Sequence, residues 1–363
     1  MGELPSPEEG IERMPFLRSN RLFFLAAFAL SALAGCALLS PSSSHPPVSE
    51  APAPEPAKPE SPSIAPSRFT IVAIQSGDTF ASLAQKYLHD PSMDWLIADL
   101  NGISSLTAGE TIVIPLVPYQ RGGLSTHGYK TVPILSYHKF TRSRPDLVSV
   151  TEKAFEEQMR YLKDNGYHVI TLDELFDFID FKRDIPGRSV VITMDDGWRS
   201  AYDIGYPILK KYGFPSTMFI YTNFVGSGQA VSWNMLREMA RNGVDIECHT
   251  VTHRYLDRRI GNESFHEYFE AIKKELTESS RIIKQHVGTD VKYVAYPYGN
   301  TNHLVIALLA KLGYRGAFTV ARDSNPFFVN PYRVSRSMIY GTFDMDDFKS
   351  NLKTLATEAV RQP

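Results

Sequence analysis

Cysteine is scarce in this chain: Cys36 and Cys248 are the only two among 363 residues. A disulfide framework is therefore excluded as an organising device. Excess charge of either sign is missing as well. The formal net charge is -2, which gives no general attraction to nucleic acid or to an anionic membrane surface, so any partner must be read from local chemistry. Long apolar runs are few. Apolar and charged fractions of 43% and 21% are those of an ordinary soluble globular protein.

The apolar run that does stand out is "LFFLAAFALSALAG", Leu22 to Gly35, preceded by Arg18 and Arg21 and closed by Cys36. A basic start, a short apolar middle and small residues at the end make the layout of a secretory signal. Extended through Leu39, the run approaches the roughly 18 to 20 residues that span a bilayer, so an uncleaved anchor is the competing reading. Leu33-Ala34-Gly35-Cys36 resembles the lipobox of bacterial lipoproteins, which implies that Cys36 is lipidated. Residues 1–36 are thus expected to be a lipoprotein signal peptide, and the rest an exported chain tethered to a bacterial membrane in the cell envelope. Residues 37–67, dense in Pro, Ser, Ala and Glu, cannot bury a core and are expected to form an extended linker. At ~3.1 Å per residue it spans on the order of 90 Å.

Residues 68–117 open with "FTIVAIQSGDTFASLAQKYL" and close with "LTAGETIVIPL". Thr79 can cap a helix in which Leu83, Ala84 and Tyr87 recur at helical spacing, and "DWLIADLN" supplies a second. The segment resembles a LysM domain, a small βααβ module, in its Ser76-Gly77-Asp78-Thr79, Asn101, Gly109 and Ile114-Pro115. That resemblance implies binding to N-acetylglucosamine-containing glycans such as peptidoglycan or chitin. Residues 118–130 are expected to be a second linker.

From 131 to 357, short strand-like segments alternate with amphipathic helical ones such as "AFEEQMRYLKDNG", with Phe155, Met159 and Leu162 on one face and Ser149 and Glu152 as a capping box. Such alternation argues for an α/β domain, and about seven strands favour a distorted, incomplete (β/α) barrel. Chemistry is then expected at the C-terminal strand ends. Four strands end in reactive groups: His138, Asp195-Asp196, His249 with His253, and Pro297-Tyr298-Gly299. Two imidazoles and one carboxylate with an open position suit catalytic zinc, and a cation would also compensate the adjacent aspartates.

At these residues the domain resembles the polysaccharide deacetylases with NodB homology, carbohydrate esterase family four. The family's Thr-Phe-Asp-Asp appears as Thr193-Met194-Asp195-Asp196, its His-Ser/Thr-x-x-His as His249 to His253, and its Arg-x-Pro-Tyr as Ala295-Tyr296-Pro297-Tyr298. The resemblance implies that Asp196, His249 and His253 bind a divalent ion, zinc first and cobalt or nickel next. It makes Asp195 the general base, and Tyr298, presented by Pro297, the backbone N–H donor to the oxyanion. Two departures stand out. Ala295 replaces the motif Arg that orients the base; Arg333 and Arg336 are the available substitutes, Arg336 preferred. The late Leu-x-His motif is missing, since no histidine follows His303.

A similar segment, Ile134 to His138, sits at the start instead, as in a permuted branch that includes exopolysaccharide poly-N-acetylglucosamine deacetylases. That match makes His138 the general acid. Trp233 and Trp198 are expected to pack near the rim, and Trp233 is the nominated sugar contact. Cys248 is expected in the core. The expected activity is removal of N-acetyl groups from N-acetylglucosamine residues of peptidoglycan or poly-N-acetylglucosamine. The alternatives are an O-acetyl polysaccharide esterase and an inactive tethered glycan-binding protein. No nucleic acid or protein partner is implied.

Overall fold

The computed structural model describes residues 68–116, 122–125 and 128–357. The expected signal segment with Cys36 and the Pro-rich stretch 37–67 lie outside the described residues. In the first described segment, β1 (Phe69–Ala73) and β2 (Thr111–Pro115) pair antiparallel around helices α1 (Phe80–Leu88) and α2 (Asp94–Asn101). Thr79 starts α1 through a reciprocal capping box with Ser82. The Asn101 side chain donates to Val113 O at 2.7 Å and accepts from Val113 N at 2.9 Å. It thereby treats β2 as a neighbouring strand would and ties helix to sheet. Ile74, Leu83, Ala84, Ile97, Ile112 and Ile114 form the small core beneath.

The next segment differs from the expected linker. Within 118–130 lie β3 (Leu124–Ser125) and β4 (Gly128–Lys130), and β4 pairs with β16 (Leu355–Ala356) near the far end of the chain. Strands of two and three residues are too short to leave a periodic signature. The main domain continues with β5 (Val132–Tyr137), β6 (Lys139–Thr141), β7 (Ser149–Thr151), α3 (Glu152–Asp164), β8 (His168–Val169) and α4 (Leu172–Ile179). Then come β9 (Ser189–Asp196), α5 (Tyr206–Tyr212), β10 (Ser216–Ile220), α6 (Trp233–Arg241), β11 (Val244–Cys248) and α7 (Phe265–Val287). The chain closes with β12 (Tyr293–Ala295), α8 (His303–Lys311), β13 (Gly316–Phe318), β14 (Ser324–Asn325), β15 (Ser337–Met338) and α9 (Met345–Ser350) before β16.

The principal sheet runs β13-β12-β11-β10-β9-β5-β14, a curled seven-strand half-barrel, as the alternation predicts. Its strands are parallel apart from β14, which is antiparallel to β5. One segment bridges its two sides. Pro331 O accepts from Ala317 N at 2.8 Å and Val334 N donates to Ala317 O at 3.0 Å, and three residues later β15 pairs with β5. Arg336 rides on that bridge.

β5 and β9 are buried almost throughout, because both faces of a parallel sheet are covered. Leu135, Ile192, Met194 and Met218 pack with α3, α5 and α6, whereas Ile134, Val191, Phe219 and Phe318 pack with α4. Phe155, Met159 and Leu162 are the buried face of α3. Its cap, however, is Thr151, whose Oγ1 accepts from Ala154 N at 3.1 Å, while Ser149 belongs to β7. Among the described residues, no helix is long and apolar enough to cross a membrane.

Candidate metal centre and active site

Successive residues of a regular strand point to opposite faces, so Asp195 and Asp196 at the end of β9 should diverge. They do not, because Asp196 has φ +73° and Gly197 φ +88°. Gly197 needs that freedom, since a Cβ there would lie 3.1 Å from Ile220 Cγ2. The loop after β11 uses the same device: Thr250 and His253 have φ of +74° and +61°, and Tyr298 has +61°. Four of the six non-glycine positive-φ residues among those described therefore converge on one rim. Each costs of order 1–3 kcal/mol and persists where its surroundings over-determine it. Glu275 of α7 supplies much of that constraint. Its carboxylate accepts from Val251 N, Thr252 N and Thr252 Oγ1 at 2.7–2.9 Å, and Thr250 Oγ1 accepts from His253 N at 3.0 Å.

The folded strand ends bring three donor atoms together. Asp196 Oδ1 lies 3.5 Å from His249 Nε2 and 3.5 Å from His253 Nε2, which are 3.1 Å apart. Four-coordinate zinc with bonds of ~2.0–2.1 Å has ligand edges of about 3.3 Å, so the triangle fits a divalent ion with one position open. The groups behind the ligands fit too. His249 Nδ1 is 2.8 Å from Ala295 O, an arrangement that puts the proton on Nδ1 and leaves the Nε2 lone pair facing the cluster. Trp198 Nε1 donates to Asp196 Oδ2 at 2.8 Å, which leaves Oδ1 for the ion. Burial holds both imidazoles below the ordinary histidine range, with His249 adding to the effect on His253. Both rings are then neutral near pH 7, the form that ligates metals.

Asp195 is buried beside this cluster. Arg336 reaches it from the bridging segment, Nη1 to Oδ1 at 2.7 Å and Nη2 to Oδ2 at 2.8 Å, and Ser136 Oγ adds a 3.3 Å contact to Oδ2. Burial opposes ionisation of Asp195. The Arg336 charge, with its hydrogen bonds, more than reverses that and holds the carboxyl well below the usual carboxylate range. Arg336 is itself fully buried. Its Nε donates to Thr319 O and its guanidinium lies over the rings of Phe219 and Phe318, at 5.3 and 5.9 Å. Ala295 sits in the same apolar cluster as those two rings and pairs with Phe318 across the sheet. Arg333 is exposed.

The remaining nominated residues divide. His138 directly follows β5, whose last residue Tyr137 pairs with Met194 of β9, so it stands at the strand end next to Asp195. Pro297 is buried, and Tyr298 beside it is half-exposed, with its ring 4.7 Å from that of His253 and stacked on Tyr255 at 4.1 Å. Trp233 is not gathered into the cluster; its ring lies flat on His286 of α7 at 4.4 Å, engaged in helix packing. Cys248 is buried in the core, as expected. Trp198 lies at the rim as expected, but its clamp on a ligand carboxylate was not foreseen, and Glu275, which anchors the His249 to His253 loop from a distant helix, carried no readable signal.

A profile for polysaccharide deacetylases matches residues 182–317, and one for the LysM domain matches residues 72–115. A poly-beta-1,6-N-acetyl-D-glucosamine N-deacetylase of Staphylococcus epidermidis is 30% identical over 227 residues, which are 56% of this chain and 78% of that protein. The chain belongs to the polysaccharide deacetylase family. A protein of the same name from Staphylococcus aureus is 31% identical over 197 residues, 53% of this chain and 68% of that one. The solved structure of the Streptococcus pyogenes deacetylase PplD in complex with acetate matches this deacetylase with a TM-score of 0.56 at 22% identity. It covers 61% of this chain and 98% of that one, a likeness of fold. The deacetylase profile starts after His138 and ends before Arg336.

Proposed function

We propose that this polysaccharide deacetylase is a metal-dependent N-deacetylase that removes acetyl groups from N-acetylglucosamine residues of a cell-wall or extracellular polysaccharide. One observation carries the reading: a bidentate Arg336–Asp195 pair stands beside a cluster of two neutral imidazoles and one carboxylate. The same pair argues against a decayed, purely binding role, because the guanidinium missing at Ala295 is supplied from elsewhere in the chain.

Asp196, His249 and His253 would hold the ion. A divalent ion there supplies Lewis acidity, which acidifies water and polarises an acetamide carbonyl. Asp195 takes the proton of the attacking water. Its pairing with Arg336 keeps it ionised and aimed, at some loss of proton affinity. The backbone N–H of Tyr298 stabilises the tetrahedral oxyanion, with Pro297 restricting the chain that presents it. His138 protonates the departing amine, the permuted arrangement in which a strand-end histidine of β5 serves as acid. Support for that arrangement comes from β5 lying directly beside β9.

The domain boundaries read from the sequence, with a signal peptide leading up to a lipidated Cys36, make the protein a lipid-anchored enzyme of the cell envelope. The relatives' names favour poly-β-1,6-N-acetylglucosamine as substrate, and the LysM domain favours peptidoglycan. Acetate release from each purified glycan tests the proposal. Release from one of them, abolished by chelation, is expected; release from neither overturns it.

A further inference from the structure

The LysM domain carries two apolar side chains that its own core does not use. Trp95 and Leu96, on α2, are 6% and 7% exposed, yet neither belongs to the cluster of Ile74, Leu83, Ala84, Ile97, Ile112 and Ile114 that holds the module together. The deacetylase domain lies against this face. Lys130 places its ammonium 5.4 Å from the centre of the Trp95 ring and donates to Ile185 O at 2.6 Å. The same ammonium lies 3.6 Å from Asp99 Oδ2 and 3.7 Å from Asp184 Oδ1. Asp99 in turn accepts from Gly187 N at 3.0 Å. A buried tryptophan, a backbone hydrogen bond and a shared cation make a built interface rather than a chance touch. Both partners lie in one compact unit, Ile64–Pro363.

The position of this interface matters for function. Gly187 and Arg188 lead directly into β9, Lys130 leads into β5, and the metal cluster lies at the opposite, C-terminal ends of the strands. From Gly187 to Asp196 the chain advances nine residues along β9, which at ~3.3 Å each is on the order of 30 Å. Trp95 and Leu96 also line an open groove of about 490 Å³ between α2 and the deacetylase domain, with Lys130, Asp184 and Leu355 on its other side.

We propose that the LysM domain is a fixed part of the catalytic unit, docked through α2 on the end of the half-barrel away from the metal cluster. Any glycan the LysM domain holds is therefore kept at a fixed offset from the metal cluster. This rests on the deacetylase reading above for the reaction, but not for the docking.

A double variant of the full chain, Asp99→Cys with Gly187→Cys, tests it. An ideal Cβ at Gly187 lies 3.7 Å from Asp99 Cγ, close to where the new sulfur would stand, within reach of a disulfide. Mild oxidation should form the bond. The locked chain should then release acetate from insoluble polymer and from a short soluble oligomer at rates within about twofold of its reduced form. The proposal is overturned by failure of the bond to form, or by loss of about tenfold or more on polymer alone when locked. If the unmodified chain releases acetate from no glycan, the deacetylase reading fails, whereas disulfide formation still decides the docking.

Discussion

Replacing Arg336 tests the feature in which this chain departs most from its family's motif. The guanidinium and the Asp195 carboxylate are 0% and 2% exposed and joined by two hydrogen bonds of 2.7 and 2.8 Å. Arg336→Ala strands a buried carboxylate, which costs about 3–5 kcal/mol. Against a total stability of ~5–15 kcal/mol, that lowers the unfolding midpoint measurably. It also frees Asp195 from its fixed orientation, and a misplacement of about 1 Å costs on the order of 10²-fold in rate. Arg336→Lys restores the charge without the planar fork and should fall between the two.

Position 295 supplies a sharper arm. Ala295→Arg alone pushes a second cation into a filled apolar cluster and destabilises by about 1–3 kcal/mol through overpacking. Combined with Arg336→Ala, it has the vacated volume and the same rings to pack against, so the double variant should recover activity relative to Arg336→Ala. The assays are kcat/KM for acetate release, the unfolding midpoint, and metal content to show that the ligands remain loaded. Undiminished kcat/KM in the Arg336→Ala chain would refute the reasoning.

Three further outcomes follow from the site. Asp195→Asn should lower kcat about 10²–10⁴-fold while metal content by elemental analysis stays unchanged. Trp198→Phe removes the 2.8 Å bond to Asp196 Oδ2 and should weaken metal affinity about 10–100-fold, measured by competition with a chelating dye; unchanged affinity would remove Trp198 from the site. His253→Ala should drop bound metal below stoichiometry, and adding zinc, cobalt or nickel to chelated wild-type protein should restore activity where the variant stays inactive.

The strand ends were legible because burial of a parallel sheet writes apolar runs such as "SVVITMDD", which breaks into aspartates at the rim, and because "VDIEC" alternates like a strand before His249. What escaped the sequence was the backbone that makes those residues meet. Nothing in Asp196, Thr250, His253 or Tyr298 as residue types announces positive φ, yet their turns bring the donor atoms within ligand spacing. Arg336 was preferred over Arg333 in "NPYRVSRSMI" from the sequence; what the sequence could not show was the bridging segment from β13 to β5 that carries it to Asp195. Trp198 looked like packing or a sugar platform because its indole N–H contact with Asp196 is a three-dimensional accident of the loop after β9. Trp95 was hidden for another reason: a helix of eight residues shows its apolar face, not whether that face meets its own core or another domain.

The central claim is that one divalent ion, held by Asp196, His249 and His253, serves an Asp195 oriented by Arg336. Metal content and acetate release from an N-acetylglucosamine polymer, titrated together on one chelated sample of the full chain, test it most directly. The account predicts activity rising in proportion to bound metal and saturating at about one ion per chain. Full acetate release from metal-free protein would contradict it.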